Sequence, residues 1–363
     1  MSTVLTPATS GETPEAWTPD PGAEPTRVVL RDDEVTEIRA LLDELAGRYT
    51  SPEDPAFLQE ADVAAHRMPL RVRKALREFR LYEPPSALLV VSGWPVDQER
   101  IGPTPAHWKE QRPASRTLPD EMLLVLLGSL LGDLIGWSTQ QDGRIVHDIL
   151  PIKGHEQEQL GSGSEVLLTW HVEDAFHPYR GDYLGLMCLR NPDGVPTTFA
   201  PVAKARVSPE EFRLLSEPRF TIRPDESHLP VNRGAGPVNA LVERAYQKIE
   251  RMKHTPEKIP VLFGDAGAPY VRMDPYFMDP VEGEAEAQRV LDYVVARIGD
   301  ALEDQVLQPG DICFVDNYQG VHGRKPFHAR FDGTDRWLKR INITRDLRKS
   351  RDARASAASR LLY

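Results

Sequence analysis

Cysteine is scarce in this 363-residue chain: only Cys188 and Cys313 are present, each inside an apolar run. That count excludes a disulfide framework and a paired CxxC zinc site, and leaves two small core thiols. Positive charge is also in deficit. Lys and Arg number 44 against 55 Asp and Glu, for a formal net charge of -11, so the basic footprint of a nucleic-acid binder is not expected. No apolar run approaches the ~18 residues of a membrane-spanning helix. Met1-Ser2-Thr3-Val4-Leu5-Thr6-Pro7 lacks the basic and apolar regions of a secretory signal, so the expected location is the cytoplasm. No internal repeat is visible.

What is present suffices for a core, since 40% of residues are hydrophobic. Five prolines among residues 1–25 predict a disordered tail. After a short strand at 28–30, Val35, Ile38, Leu41, Leu42 and Leu45 follow a helical period from Asp32 or Asp33 to Gly47. A second helical region spans 54–80, broken at Pro69. Residues 87–91 read as a buried strand and 97–118 as a loop. The stretch 120–135 is apolar nearly all round and predicts a buried backing helix. Short strands are then expected at 144–150, 164–170, 183–190, 196–200, 219–223, 259–263, 311–315 and 337–344. Helices at 209–215, 237–252 and around 281–302 interrupt them. The expectation is one mainly β domain over 26–350 with flanking helices, an insertion near 220–258, and a loose C-terminal tail at 351–363.

Leu168-Thr169-Trp170-His171-Val172-Glu173 puts a His and a Glu two residues apart at the end of a strand pattern. Residues so spaced on a strand share a face. Pro309-Gly310-Asp311 opens another apolar strand, followed by Asn317 and then His322-Gly323-Arg324. Two imidazoles and one carboxylate with coordination positions left open describe a non-haem Fe(II) site at His171, Glu173 and His322. His177 is a further candidate near the metal. His147, His155, His228 and His254 read as surface or locally hydrogen-bonded residues.

Arg336 follows His322 on the next expected strand, with Arg340 on the same face. A guanidinium clamps a carboxylate through two parallel hydrogen bonds. A dicarboxylate held on iron by its 2-oxo acid end needs such a clamp at its far end.

These residues, with the run from Thr169 to Arg180, resemble the clavaminate synthase-like Fe(II)/2-oxoglutarate-dependent oxygenases. Within that branch the chain looks most like the free-amino-acid hydroxylases. The resemblance implies a distorted double-stranded β-helix, a cupin-like jelly roll. It implies Fe(II), 2-oxoglutarate and O2 as cofactors, with no nucleic-acid or membrane partner. It implies that Arg336 binds 2-oxoglutarate and that Arg340 and Gln140 bind the amino-acid backbone, with Glu173 also touching its ammonium group. Asp225 and Ser227 match a lid over the substrate; an ordinary turn is the plainer reading of this pair. Asp274 and Tyr276 fall where the side chain's distal group is read. A guanidinium is met best by paired acids, and Tyr276 stands where a second acid is expected, which leaves room for citrulline or lysine beside arginine. The implied reaction is hydroxylation at C3 or C4 in antibiotic or other specialised metabolism. Desaturation and a non-catalytic cupin-like binder are the alternatives.

Overall fold

The computed structural model describes residues 24–110 and 115–363; the expected N-terminal tail falls outside them but for its last two positions. Strand β1 (Thr26–Val29) runs into α1 (Asp32–Ala46), α2 (Pro55–Ala65) and α3 (Leu70–Tyr82). Next come β2 (Leu88–Ser92), the one-turn α4 (Gln98–Ile101), α5 (Leu118–Ser129), β3 (Asp133–Trp137), β4 (His147–Ile149), β5 (Leu168–His171), β6 (Tyr183–Arg190) and β7 (Thr197–Pro201). After them lie α6 (Pro209–Leu215), α7 (Ala240–His254), the hairpin β8 (Leu262–Asp265) and β9 (Ala268–Val271), and α8 (Ala285–Asp300). The chain closes with β10 (Glu303–Gln305), β11 (Ile312–Asp316), β12 (Gly320–Arg324), β13 (Trp337–Thr344) and β14 (Leu361–Leu362).

Helix accounts for 34% of the described residues and strand for 21%, so the mainly β expectation holds for the centre of the molecule rather than by count. An eight-stranded sheet runs β1-β2-β11-β6-β13-β3-β14, with β4 beside β13, and a four-stranded sheet runs β10-β7-β12-β5. One main core cluster joins α1, α2, α3 and α5 to the large sheet. A second joins α7 and α8 to the small one. No described helix is long and apolar enough to cross a membrane. Cys188 and Cys313 are both buried and free.

The central element is β13, and strand alternation divides its side chains between two tasks. Trp337, Ile341 and Ile343 join the core cluster that includes α5. Arg336, Leu338 and Arg340 face the opposite way, into a cleft between the two sheets. Lys339 on the helix side is buried, and its ammonium lies 2.6 Å from both Glu121 of α5 and Asp148 of β4.

Helix α5 is buried along Met122–Leu127, as expected, but it stops at Ser129 rather than near Ile135. At Gly132 a Cβ would lie 2.3 Å from the Thr344 carbonyl oxygen. This close approach requires glycine, and the apolar residues beyond it pair with β13 as β3. Residues 219–223 form only isolated bridges, Phe220 with Ile259 and Ile222 with Met278. The strand expected at 259–263 starts instead at Leu262, as the first strand of the β8–β9 hairpin. The C-terminal tail is not loose: Leu361 and Leu362 pair with Gly136 and Trp137. Arg354 fastens that turn by donating to the carbonyls of Leu347, Ala357 and Ser359 at 2.8, 2.6 and 3.0 Å.

Burial pushes the Asp148 carboxyl up, but Lys339 outweighs it and holds the group below its ordinary value. That stability is present at neutral pH, above the ordinary carboxyl value, and is lost as pH falls through the lowered one. Lys339→Met leaves buried Glu121 without a cation and Asp148 with only Arg144, at 3.2 Å, with an expected loss of roughly 3 kcal/mol, read by chemical denaturation at neutral pH.

Candidate active site

Strand β12 pairs with β5 so that His322 lies opposite His171, their rings 4.5 Å apart. The Nε2 atoms of His171 and His322 stand 3.7 and 3.4 Å from Glu173 Oε2. One ligand atom from each of the three lies within 4.8 Å of the others. The three converge for a reason other than the expected strand alternation. Strand β5 ends at His171, and a turn through Asp174, at φ +53°, brings Glu173 back beneath the imidazoles. Asn317 clamps that turn, accepting from Glu173 N at 2.9 Å and donating to Glu173 O at 3.0 Å.

His171 Nδ1 lies 2.8 Å from the Thr169 carbonyl, which makes it a donor and turns Nε2 toward the group. Burial pushes His322 down to about 4, the neutral form that a metal takes. Burial lowers His171 too, but Glu173 outweighs it and raises this imidazole to about 9. Burial opposes ionisation of Glu173, yet Arg340 and both imidazoles hold it well below its ordinary value. A metal cation held by the three atoms would take the place of the His171 proton as the counter-charge to Glu173. Two nitrogens and one oxygen, open on the cleft side, fit iron.

The cleft is about 830 Å³ including its mouth. Arg336 is buried in it, donates to Thr197 Oγ1 at 3.0 Å, and leaves Nε without a partner. Burial lowers it to about 10, so it remains a cation at neutral pH, and no carboxylate pairs with it among the described residues. Arg340 contacts Glu173 Oε1 and reaches Gln140 Oε1 at 3.0 Å and His147 Nδ1 at 2.8 Å. Gln140 donates to Ser227 Oγ at 2.6 Å, and Ser227 N donates to Asp225 at 2.9 Å. Gln140, Asp225, Ser227, Asp274 and Tyr276 thus all line one cleft with the triad and both arginines. Burial pushes the Asp274 carboxyl up to about 7. It has no cation partner among the described residues. Tyr276 is 54% exposed, at the mouth.

Several residues took roles that spacing did not reveal. His228 is fully buried rather than superficial, 3.0 Å from Asp174 and 2.8 Å from Thr139 Oγ1. Asp174 also accepts from Trp137 Nε1 at 2.6 Å and Asn342 Nδ2 at 3.2 Å. The 225–228 segment is therefore tied to the residue next to Glu173. Asp142 holds the same segment further along, accepting from Gly234 N at 2.8 Å and Gly236 N at 2.9 Å. His147, buried under Arg340, orients that guanidinium. His177 is not in the triad; its Nδ1 accepts from Tyr179 N at 3.0 Å and its Nε2 faces Lys248 Nζ at 3.1 Å. The adjacent acid in Glu173-Asp174 was the one visible hint of the latch.

Residues 124–342 match the family described as taurine catabolism dioxygenase TauD, TfdA family. The chain is 51% identical to an enduracididine beta-hydroxylase from Streptomyces hygroscopicus, over 92% of this chain and 98% of that one. It is 44% identical to an L-ornithine/L-arginine 3-hydroxylase from Catenulispora acidiphila, over 93% and 99%. Among solved structures, the non-heme iron oxygenase OrfP with Fe, succinate and (3S)-hydroxy-L-Arg superposes with TM-score 0.88 at 45% identity, covering 93% of this chain and 99% of that one. OrfP is also known with Fe and alpha-ketoglutaric acid.

His228→Ala leaves Asp174 buried without its imidazole partner. Limited proteolysis should then cut within residues 225–239 markedly faster than in the wild type, while the sheet core stays resistant.

Proposed function

The chain belongs to the TauD/TfdA dioxygenase family, and from that premise we propose that it hydroxylates a free L-amino acid with a guanidino side chain, arginine or a close relative, at C3. It is an enzyme whose cofactors are Fe(II), 2-oxoglutarate and O2. The carrying observation is one cleft that contains the buried His171, Glu173 and His322 group together with two buried groups that have no ion-pair partner among the described residues, the Arg336 cation and the Asp274 carboxyl. The relatives' 3- and beta-hydroxylase activities favour C3 over C4. The two facing sheets suit a distorted jelly roll over residues 26–350, with 220–258 as its lid insertion.

His171, Glu173 and His322 are the iron ligands in this reading. Bound there with 2-oxoglutarate, iron supplies the oxidising chemistry that uses O2 to turn a C–H bond into C–OH, with succinate and CO2 as co-products. Arg336 and Thr197 hold the distal carboxylate of 2-oxoglutarate. Arg340, oriented by His147 and Gln140, takes the substrate carboxylate, and Glu173 accepts from its ammonium group. Asp274 pairs with the cationic end of the side chain. Ser227 and Asp225 close over the amino acid, and the His228 latch keeps water out. The substrate is thus held at both ends, which fixes the carbon presented to the metal.

Iron-loaded protein should form succinate with arginine and add one oxygen atom to it by mass spectrometry. Citrulline, lysine, ornithine, asparagine and glutamine run beside it. Succinate with none of them would leave the non-catalytic binder standing. His322→Ala should abolish turnover and Fe(II) retention. Arg336→Ala should raise the apparent 2-oxoglutarate KM on the order of a hundredfold while the arginine KM changes far less; the reverse pattern would mean that Arg336 and Arg340 have exchanged roles.

A further inference from the structure

The stretch between β3 and β4 does more than connect two strands. Its successive side chains from Thr139 to Asp142 each bond to a different place. Thr139 Oγ1 lies 2.8 Å from His228 Nδ1. Gln140 accepts from Arg340 Nη2 at 3.0 Å and donates to Ser227 Oγ at 2.6 Å. Gln141 donates to the Asp148 carbonyl at 2.8 Å and accepts from Asp148 N at 3.0 Å, which fixes the turn to β4, the strand that pairs with β13 at Arg340. Asp142 accepts from Gly234 N and Gly236 N, one on each carboxylate oxygen, at 2.8 and 2.9 Å. Thr139, Gln140 and Asp142 thus all meet the 225–239 segment.

The Asp142 contact is shaped for a carboxylate. A Cβ on Gly234 would lie 2.1 Å from Asp142 Oδ2 and 2.8 Å from Trp108 Cη2, and one on Gly236 would lie 2.9 Å from Asp142 Cβ. Only glycine lets the backbone come this close, and its two N–H groups form a small anion cradle. Gln141 and Asp142 sit at φ +42° and +57°, a left-handed pair that surrounding bonds must hold in place. Between the cradle and the cleft the segment is braced, since Asn232 Nδ2 donates to the Glu226 carbonyl at 2.8 Å. A displacement at Gly234 therefore reaches Ser227 with little slack. Arg340 can only donate, so the Gln140 oxygen faces it and the amide nitrogen faces Ser227. Ser227 in turn donates to Asp225. The donors run one way, from the arginine to the tip of the segment.

We propose that Asp142 is a positioning residue for the hydroxylation: through the cradle at Gly234 and Gly236 it holds Ser227 and Asp225 in place over the amino acid. This rests on the function proposed above. Asp142 is exposed and is not among the residues that line the cleft, so its loss leaves the core and the cosubstrate contacts intact. A loosened segment holds the amino acid poorly and admits water. With ascorbate supplying two electrons, 2-oxoglutarate, O2 and two protons then go to succinate, CO2 and water, and the amino acid is left unchanged.

The test uses iron-loaded protein with arginine, 2-oxoglutarate, O2 and ascorbate, and two variants that loosen the anchor from opposite sides. Asp142→Asn keeps the shape and the tolerance of a left-handed backbone but turns one acceptor into a donor. Gly236→Ala sets a methyl group against Asp142. In both, hydroxylated arginine per succinate should fall at least about threefold and the arginine KM should rise at least about fivefold, with the 2-oxoglutarate KM within about twofold of wild type. Amide exchange in peptides covering 229–239 should speed up at least about tenfold. A merely structural loss would lower the active fraction and leave the product ratio and both KM values alone. A wild-type product ratio and arginine KM in both variants overturn the proposal, and so does unchanged amide exchange. Wild-type protein that forms succinate with no amino acid overturns the proposed function instead, and the anchor then stands or falls on the exchange measurement.

Discussion

The structure turns on the position of one carboxylate. Glu173 lies just past the end of β5, where strand geometry no longer controls its direction. Asn317, from the turn after β11, fixes its backbone on both sides, and Asp174 at φ +53° completes the turn. Its side chain then meets both imidazoles and Arg340 at once. Four separate segments must be in place before this group exists. That makes this group a product of the whole sheet assembly, not of the local His-Val-Glu run.

Strand β13 organises the rest through alternation. Its cleft face carries Arg336 and Arg340, and its helix face carries Lys339 between Glu121 and Asp148. The buried cation that serves stability has two acids and Arg340 has Glu173, whereas Arg336 has no carboxylate among the described residues. A buried charge left unpaired is costly in a structural role. In a binding cleft the ligand supplies the counter-charge, and Arg336 and Asp274 both fit that description.

Local pattern made the helices, the apolar strands and the triad legible. The residues from Thr169 to Arg180 and the His322-to-Arg336 spacing were enough to assign the family. Illegible were the features decided by distant packing. The end of α5 depends on Thr344 lying against Gly132. The docking of Leu361 and Leu362 depends on an open edge of β3. The latch between His228 and Asp174 joins residues 54 positions apart, and no period or spacing rule links them. His147 was likewise placed by β4 pairing with β13, not by any motif of its own.

The central claim is that Asp274 awaits a cationic side chain. Its most direct test is the ratio of kcat/KM for arginine to that for citrulline, in the wild type and in Asp274→Asn. The two substrates differ at the distal group, charged in one and neutral in the other. The account predicts that the ratio falls by at least about tenfold in the variant. An unchanged ratio would contradict it.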